Sequence, residues 1–223
     1  MSLRFSDELR RAADPVWKAQ HAHPFVRGIG DGTLSRDCFE YWIRQDYRFL
    51  VEYCRLFAFA AARAPDLATL TRFAELLRST AVTEMALHRE LAAGFGIDAA
   101  ELEHEPMAPT TQGYTDFLVR TAAAGDFAEL CAALLPCMWG FSEIGLGLAQ
   151  GPRPADPALA AWIDAYADPE FTALAAWCRD LVDGLAEGAA PRALVAMEGA
   201  FLTSSRYELA FWEMAWTLER WPA

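Results

Sequence analysis

Basic residues are scarce in this chain: 19 Lys+Arg stand against 31 Asp+Glu, for a net charge of −12 over 223 residues. No stretch gathers its cations into a run. So acidic a surface repels phosphate backbones unless a basic face is segregated, and nucleic acid is excluded as an expected partner. Long apolar runs are also missing. The longest uncharged stretch, Leu130 to Ser142, falls well short of the about 20 apolar residues a spanning helix needs. Charged side chains at Arg4, Asp7, Glu8, Arg10 and Arg11 leave no room near the N-terminus for the apolar segment of a secretory signal. The expectation is a soluble, cytoplasmic protein with no membrane partner. Its five cysteines are odd in number and contain no CxxC, which fits reduced thiols better than a disulfide framework. No alternating strand pattern, internal repeat or low-complexity tail is present.

What remains is helical punctuation. Asp156-Pro157, Asp168-Pro169 and Pro191 each precede an apolar-periodic stretch, as an N-cap followed by an N1 proline would. Ser35 is placed to cap a long helix reaching Ala64, and Pro65 to end it and open another running to about Gly94. Thr110 or Thr111 opens a helix that stops near Gly125. Asp126-Phe127-Ala128-Glu129 reads as a capping-box variant starting a helix that ends before Gly151-Pro152. Asp14-Pro15 kinks or restarts the first helix. The pattern predicts an all-α, single-domain helical bundle over residues 1–223, with about eight helices around one core. The run Arg27-Gly28-Ile29-Gly30-Asp31-Gly32 lacks a preceding strand and the full phosphate-loop spacing, and reads as a glycine-rich interhelical turn.

Polar groups interrupt three apolar faces. On the Ser35 helix the face runs Phe39, Ile43, Asp46, Leu50, Tyr53, Phe57, so Asp46 needs a partner, a pocket or another register. On the helix after Asp126 the face includes Leu130, Leu134, Cys137, Phe141 and Ile144. A cysteine there is most often a small inert hydrophobe. Pro136, which cannot donate to residue 132 and so kinks or disrupts the helix, points instead to space beside the thiol. On the last helix Glu208 shares a face with Phe211 and Trp212. Phe49, Tyr114, Tyr166 and the tryptophans offer flat walls for an aromatic ring, although core packing accounts equally for most of them. One thiol, two carboxylates and aromatic walls fit a nucleophile with acid/base partners acting on a planar heterocycle. Glu84 and His88 have the i, i+4 spacing of metal ligands. With only His21, His23 and His104 besides, a structural hydrogen bond or an exposed pair is the favoured reading, and no metal is expected.

Five stretches carry a wider likeness: HPFVRGIGDGTL (23–34), RQDYRFLVEY (44–53), LLPCMWGFSEIG (134–145), WIDAYADPEF (162–171) and TSSRYELAFWEMAW (203–216). In this order they resemble the TenA family, also called thiaminase II or aminopyrimidine aminohydrolase, and they span nearly the whole chain. The resemblance implies a heme-oxygenase-like fold without heme, a homotetramer, no cofactor, and a role in thiamine salvage. The implied reaction converts 4-amino-5-aminomethyl-2-methylpyrimidine to the hydroxymethylpyrimidine and ammonia, with thiamine as a further substrate. By position, Cys137 is then the nucleophile and Glu208 the acid/base group. Asp46 holds the aminopyrimidine, and Phe49, Tyr114, Phe141, Tyr166 and Phe211 line its site.

Two positions depart from the family pattern. Many relatives carry tyrosine where this chain has Phe49 and Phe141. A phenyl ring keeps the wall but loses a hydroxyl able to bond the thiol or the substrate. Two other classes therefore stand beside the hydrolase: a non-catalytic pyrimidine-binding or regulatory protein on the same scaffold, and an oxygenase of the heme-oxygenase-like fold.

Overall fold

The computed structural model describes residues 3–222; Met1, Ser2 and Ala223, which the expected 1–223 domain includes, lie outside the described residues. The helices are α1 (Phe5–Ala12), α2 (Asp14–Ala22), α3 (Pro24–Asp31), α4 (Arg36–Arg63), α5 (Leu67–Arg78), α6 (Met85–Gly94), α7 (Ala99–His104), α8 (Pro109–Ala124), α9 (Phe127–Ala149), α10 (Pro157–Tyr166), α11 (Pro169–Ala186) and α12 (Pro191–Thr217). A π-helical turn, Ser79–Glu84, joins α5 to α6, and no strand occurs among the described residues. The protein is all-α as its sequence predicts, but with more helices than the eight expected.

The extra helices have local causes. The glycine-rich run at 27–32 is mostly helix, a correction to its reading as a turn. His23 caps α3 by accepting from the Phe25 amide at 3.2 Å, and Pro24 supplies the first helical position. Only Gly32 turns the chain, with φ of 75°, a conformation glycine adopts without strain. The short α7 is started by Asp98, which accepts from the Glu101 amide at 2.8 Å. The helix expected from Pro65 to Gly94 is capped one residue later, by Asp66 accepting from Thr69 at 2.8 Å, and contains the π-turn. The Asp156 and Asp168 caps form as expected, each accepting an amide two residues on, at 2.8 and 2.7 Å.

The helices cluster into two compact units. In the first, made of the chain up to Ser35 and Ala128–Glu213, α1 packs on α2 and α11, α3 on α2 and α10, and α10 on α11. In the second, Arg36–Phe127 with the chain from Met214 onward, the 28-residue α4 is the spine and α5, α6, α7 and α8 pack against it. Its buried residues include Phe39, Ile43, Asp46, Leu50, Tyr53 and Phe57, the face expected from their steps of three and four, and Trp42 besides. The π-turn inserts a residue into the helical register and so rotates the side chains of α6 by about 100° relative to those of α5.

The apolar helix α9 runs unbroken through Pro136, without the bond that this proline cannot donate to Ala132. It is long and apolar enough to cross a membrane by length and composition, yet most of it is buried within the protein.

Candidate functional site

In the second unit, Asp46 has the partner its buried position requires. Its Oδ2 lies 2.6 Å from His88 Nε2, and the two side chains are only 5% and 2% exposed. His88 Nδ1 lies 3.0 Å from the backbone carbonyl of Glu84. A carbonyl can only accept, so Nδ1 carries a hydrogen and the Asp46–Nε2 contact holds one further proton. Burial alone would lower the His88 pKa. The hydrogen bond to Asp46, the charges of Asp46 and Glu84, and the Glu84 carbonyl together outweigh it and hold the pKa above the ordinary 6.5. The Trp42 ring lies 5.7 Å from that of His88, tilted by 40°. Glu84 and His88 therefore interact, but through a backbone carbonyl rather than as metal ligands. Among the described residues no group of three potential ligand side chains comes together.

The expected aromatic wall of this unit sits on the next turns. Phe49 lies 5.3 Å from Tyr53 and 5.1 Å from Tyr114 on α8, ring to ring. Tyr114 is fixed by the start of α8, where Gln45 Oε1 accepts from the Ala108 amide at 2.8 Å and from the Thr111 hydroxyl at 2.7 Å. Gln45 also donates to the Pro106 carbonyl at 3.0 Å, so the residue beside Asp46 ties α4 to α8. Cys54, further along α4, is a half-buried thiol whose pKa is pushed up to about 11 by burial and by the charge of Glu84. It stays protonated at neutral pH and is no nucleophile.

In the first unit, Cys137 is partly exposed on a helix where Leu134, Leu135, Pro136 and Met138 are buried. One turn on, Phe141 packs against Tyr166 at 4.9 Å and Trp212 at 5.0 Å. The approach of Tyr166 depends on Gly145: a Cβ there would stand 2.6–2.8 Å from Tyr166 backbone and Cβ atoms. Glu143 anchors α9 outward, 3.0 Å from both Arg10 and His21. Burial would raise its carboxyl pKa, but bonds to those two residues bring it below the usual range.

Glu208, only 3% exposed, sits on α12 between Ser205 and Trp212 along one face. Both neighbours are pinned by α2. Trp17 Nε1 donates to Ser205 Oγ at 3.0 Å, Gln20 Nε2 to the Ser205 carbonyl at 3.3 Å, and Trp212 Nε1 to Gln20 Oε1 at 3.4 Å. Since His23 Nδ1 accepts from Phe25, its Nε2 carries the hydrogen and donates to Glu213 Oε2 at 3.0 Å, fixing the next turn of α12. Phe211 is buried on the same helix.

The structure thus gathers Phe49 and Tyr114 near the Asp46 end of α4 in one unit, and Phe141 with Tyr166 beyond Cys137 in the other. His88 is the residue missed as a site candidate. The signals available were an unpartnered Asp46 and an i, i+4 Glu84/His88 pair, and nothing in the sequence joined them over 42 positions.

A family model described as TENA/THI-4/PQQC family matches residues 10–218. An aminopyrimidine aminohydrolase of Halalkalibacterium halodurans is 41% identical over 220 residues, covering 98% of this chain and 98% of that protein. A protein of the same name from Bacillus subtilis is 39% identical over 219 residues, covering 98% and 92%. Among solved structures, a TenA homologue from P. horikoshii OT3 matches with a TM-score of 0.90 at 28% identity, over 96% of this chain and 99% of that one. A domain from Shewanella denitrificans with a heme oxygenase-like fold, 12% identical at a TM-score of 0.75 over 95% and 92%, shares the fold alone.

Proposed function

The chain belongs to the TENA/THI-4/PQQC family, and from that premise we propose that it is an aminopyrimidine aminohydrolase of thiamine salvage, with Cys137 as nucleophile. The observation that carries this reading is the 39–41% identity over nearly the full length to proteins of that name, joined to a partly exposed cysteine between buried residues of α9. The thiolate adds to the ring carbon next to the substituted one while a carboxyl group protonates a ring nitrogen. The ring electrons then expel ammonia from the exocyclic methylene. Water adds to that methylene, and elimination of the thiol restores the aromatic ring, so an aminomethyl group and water become a hydroxymethyl group and ammonia.

Glu208, a buried carboxyl on α12, is the acid/base group in this scheme, giving a proton to the ring and taking it back. Asp46, held by His88 through one oxygen, accepts from the 4-amino group. Tyr114, Tyr166, Phe49, Phe141 and Phe211 supply ring faces. The same reading carries a cofactor-independent, cytoplasmic homotetramer. Incubation with a panel of aminomethylpyrimidines and thiamine tests it: ammonia and hydroxymethylpyrimidine should appear in equal amounts. Tight binding without product would instead support the non-catalytic pyrimidine binder, the reading favoured by the missing hydroxyls at Phe49 and Phe141.

A further inference from the structure

We propose that His88 is a positioning residue that fixes Asp46 as a charged acceptor with one available oxygen, and thereby makes the site select a 4-aminopyrimidine over its 4-oxo counterpart. The inference rests on the aminopyrimidine reading above and goes beyond it, from what binds to what is rejected.

Three observations carry it. The Glu84 carbonyl commits His88 Nδ1 as a donor, so the ring cannot flip or change tautomer without losing that bond. Nε2 then occupies Asp46 Oδ2 at 2.6 Å. Among the described residues Asp46 makes no other side-chain hydrogen bond, so Oδ1 is left as an acceptor on a side chain only 5% exposed. An acceptor held in place by the bond at its other oxygen is ready for a ligand N–H. An exocyclic amino group supplies such an N–H. A 4-oxo group presents lone pairs instead and is repelled by the carboxylate.

Without His88 the balance changes. A buried carboxylate lacking its counter-charge takes up a proton. Protonated Asp46 both donates and accepts, and it tolerates an oxo group almost as well as an amino group. The π-helical turn fits this role, since it ends at Glu84 and supplies the carbonyl that orients the imidazole.

The test uses the full chain and two ligands, 4-amino-5-hydroxymethyl-2-methylpyrimidine and its 4-oxo counterpart, with binding measured by calorimetry. Wild type should prefer the amino form by at least about 10²-fold. His88→Phe should lose at least tenfold of that preference. His88→Gln, which keeps a donor toward Oδ2 but no charge, should fall between them. In turnover the variants should raise KM more than they lower kcat. Equal preference in all three folded proteins would overturn the proposal, as would wild-type binding of both ligands alike. The ¹⁵N spectrum of labelled protein at neutral pH separates this inference from the function it rests on. One histidine protonated on both ring nitrogens, absent in His88→Gln, is expected whatever the substrate. Its absence from wild type overturns the role of His88 while leaving ammonia release untouched.

Discussion

The approach of Tyr166 to α9 can be tested by making one substitution at two places on the same helix. Gly145 and Gly147 both lie in α9, and replacing either by alanine gains about 1 kcal/mol of helix propensity. Their surroundings differ. A Cβ on Gly147 meets nothing within 4 Å, whereas on Gly145 it would stand 2.6 Å from the Tyr166 carbonyl carbon. Ordinary contact begins at 3.4 Å, so the Tyr166 backbone must retreat by about 0.8 Å. Overpacking of that kind costs about 1–3 kcal/mol. Gly147→Ala should therefore hold or raise Tm. Gly145→Ala should melt roughly 2–12 °C below Gly147→Ala, because the shared propensity term cancels between them. The retreat also loosens the 4.9 Å packing of Tyr166 on Phe141, so Gly145→Ala should raise KM for the pyrimidine while Gly147→Ala leaves it unchanged. Thermal melts and steady-state kinetics on the two variants provide the comparison. Equal melting temperatures and equal KM values would refute the claim that a glycine-only contact places Tyr166.

Two further outcomes follow from the same geometry. Trp17→Phe removes the donor to buried Ser205, and should cost about 1–3 kcal/mol in urea denaturation and raise KM through Glu208 on the next turn. Cys54, with its pKa near 11, should be alkylated by iodoacetamide at a rate that climbs about tenfold per pH unit between pH 8 and 10, followed by mass spectrometry; Cys54→Ala should retain wild-type ammonia release. A rate already level at pH 8 would refute the burial argument.

Much of this was legible in the sequence because it is local. The Asp-Pro caps of α10 and α11, the break at Asp14-Pro15 and the apolar face of α4 each depend on residues within a turn or two of one another. The run at 27–32 misled because glycine suggests a turn, while the cap that makes it helical lies upstream at His23-Pro24. The π-turn carries no periodic signature of its own. The site divides the same way. Asp46, Cys137 and Glu208 stood out as polar groups on apolar faces, which only requires the helical repeat. The Asp46–His88 bond joins α4 to α6, and Gly145 meets Tyr166 across two helices. Such pairings come from packing, which no local pattern encodes.

The central claim, that Cys137 performs nucleophilic hydrolysis of an aminopyrimidine, is met most directly by ammonia release from 4-amino-5-aminomethyl-2-methylpyrimidine by wild type and Cys137→Ser side by side. A loss of at least about 10³-fold in kcat, with the serine variant still folded and still binding the pyrimidine, is the predicted result. Turnover by Cys137→Ser at the wild-type rate would contradict it.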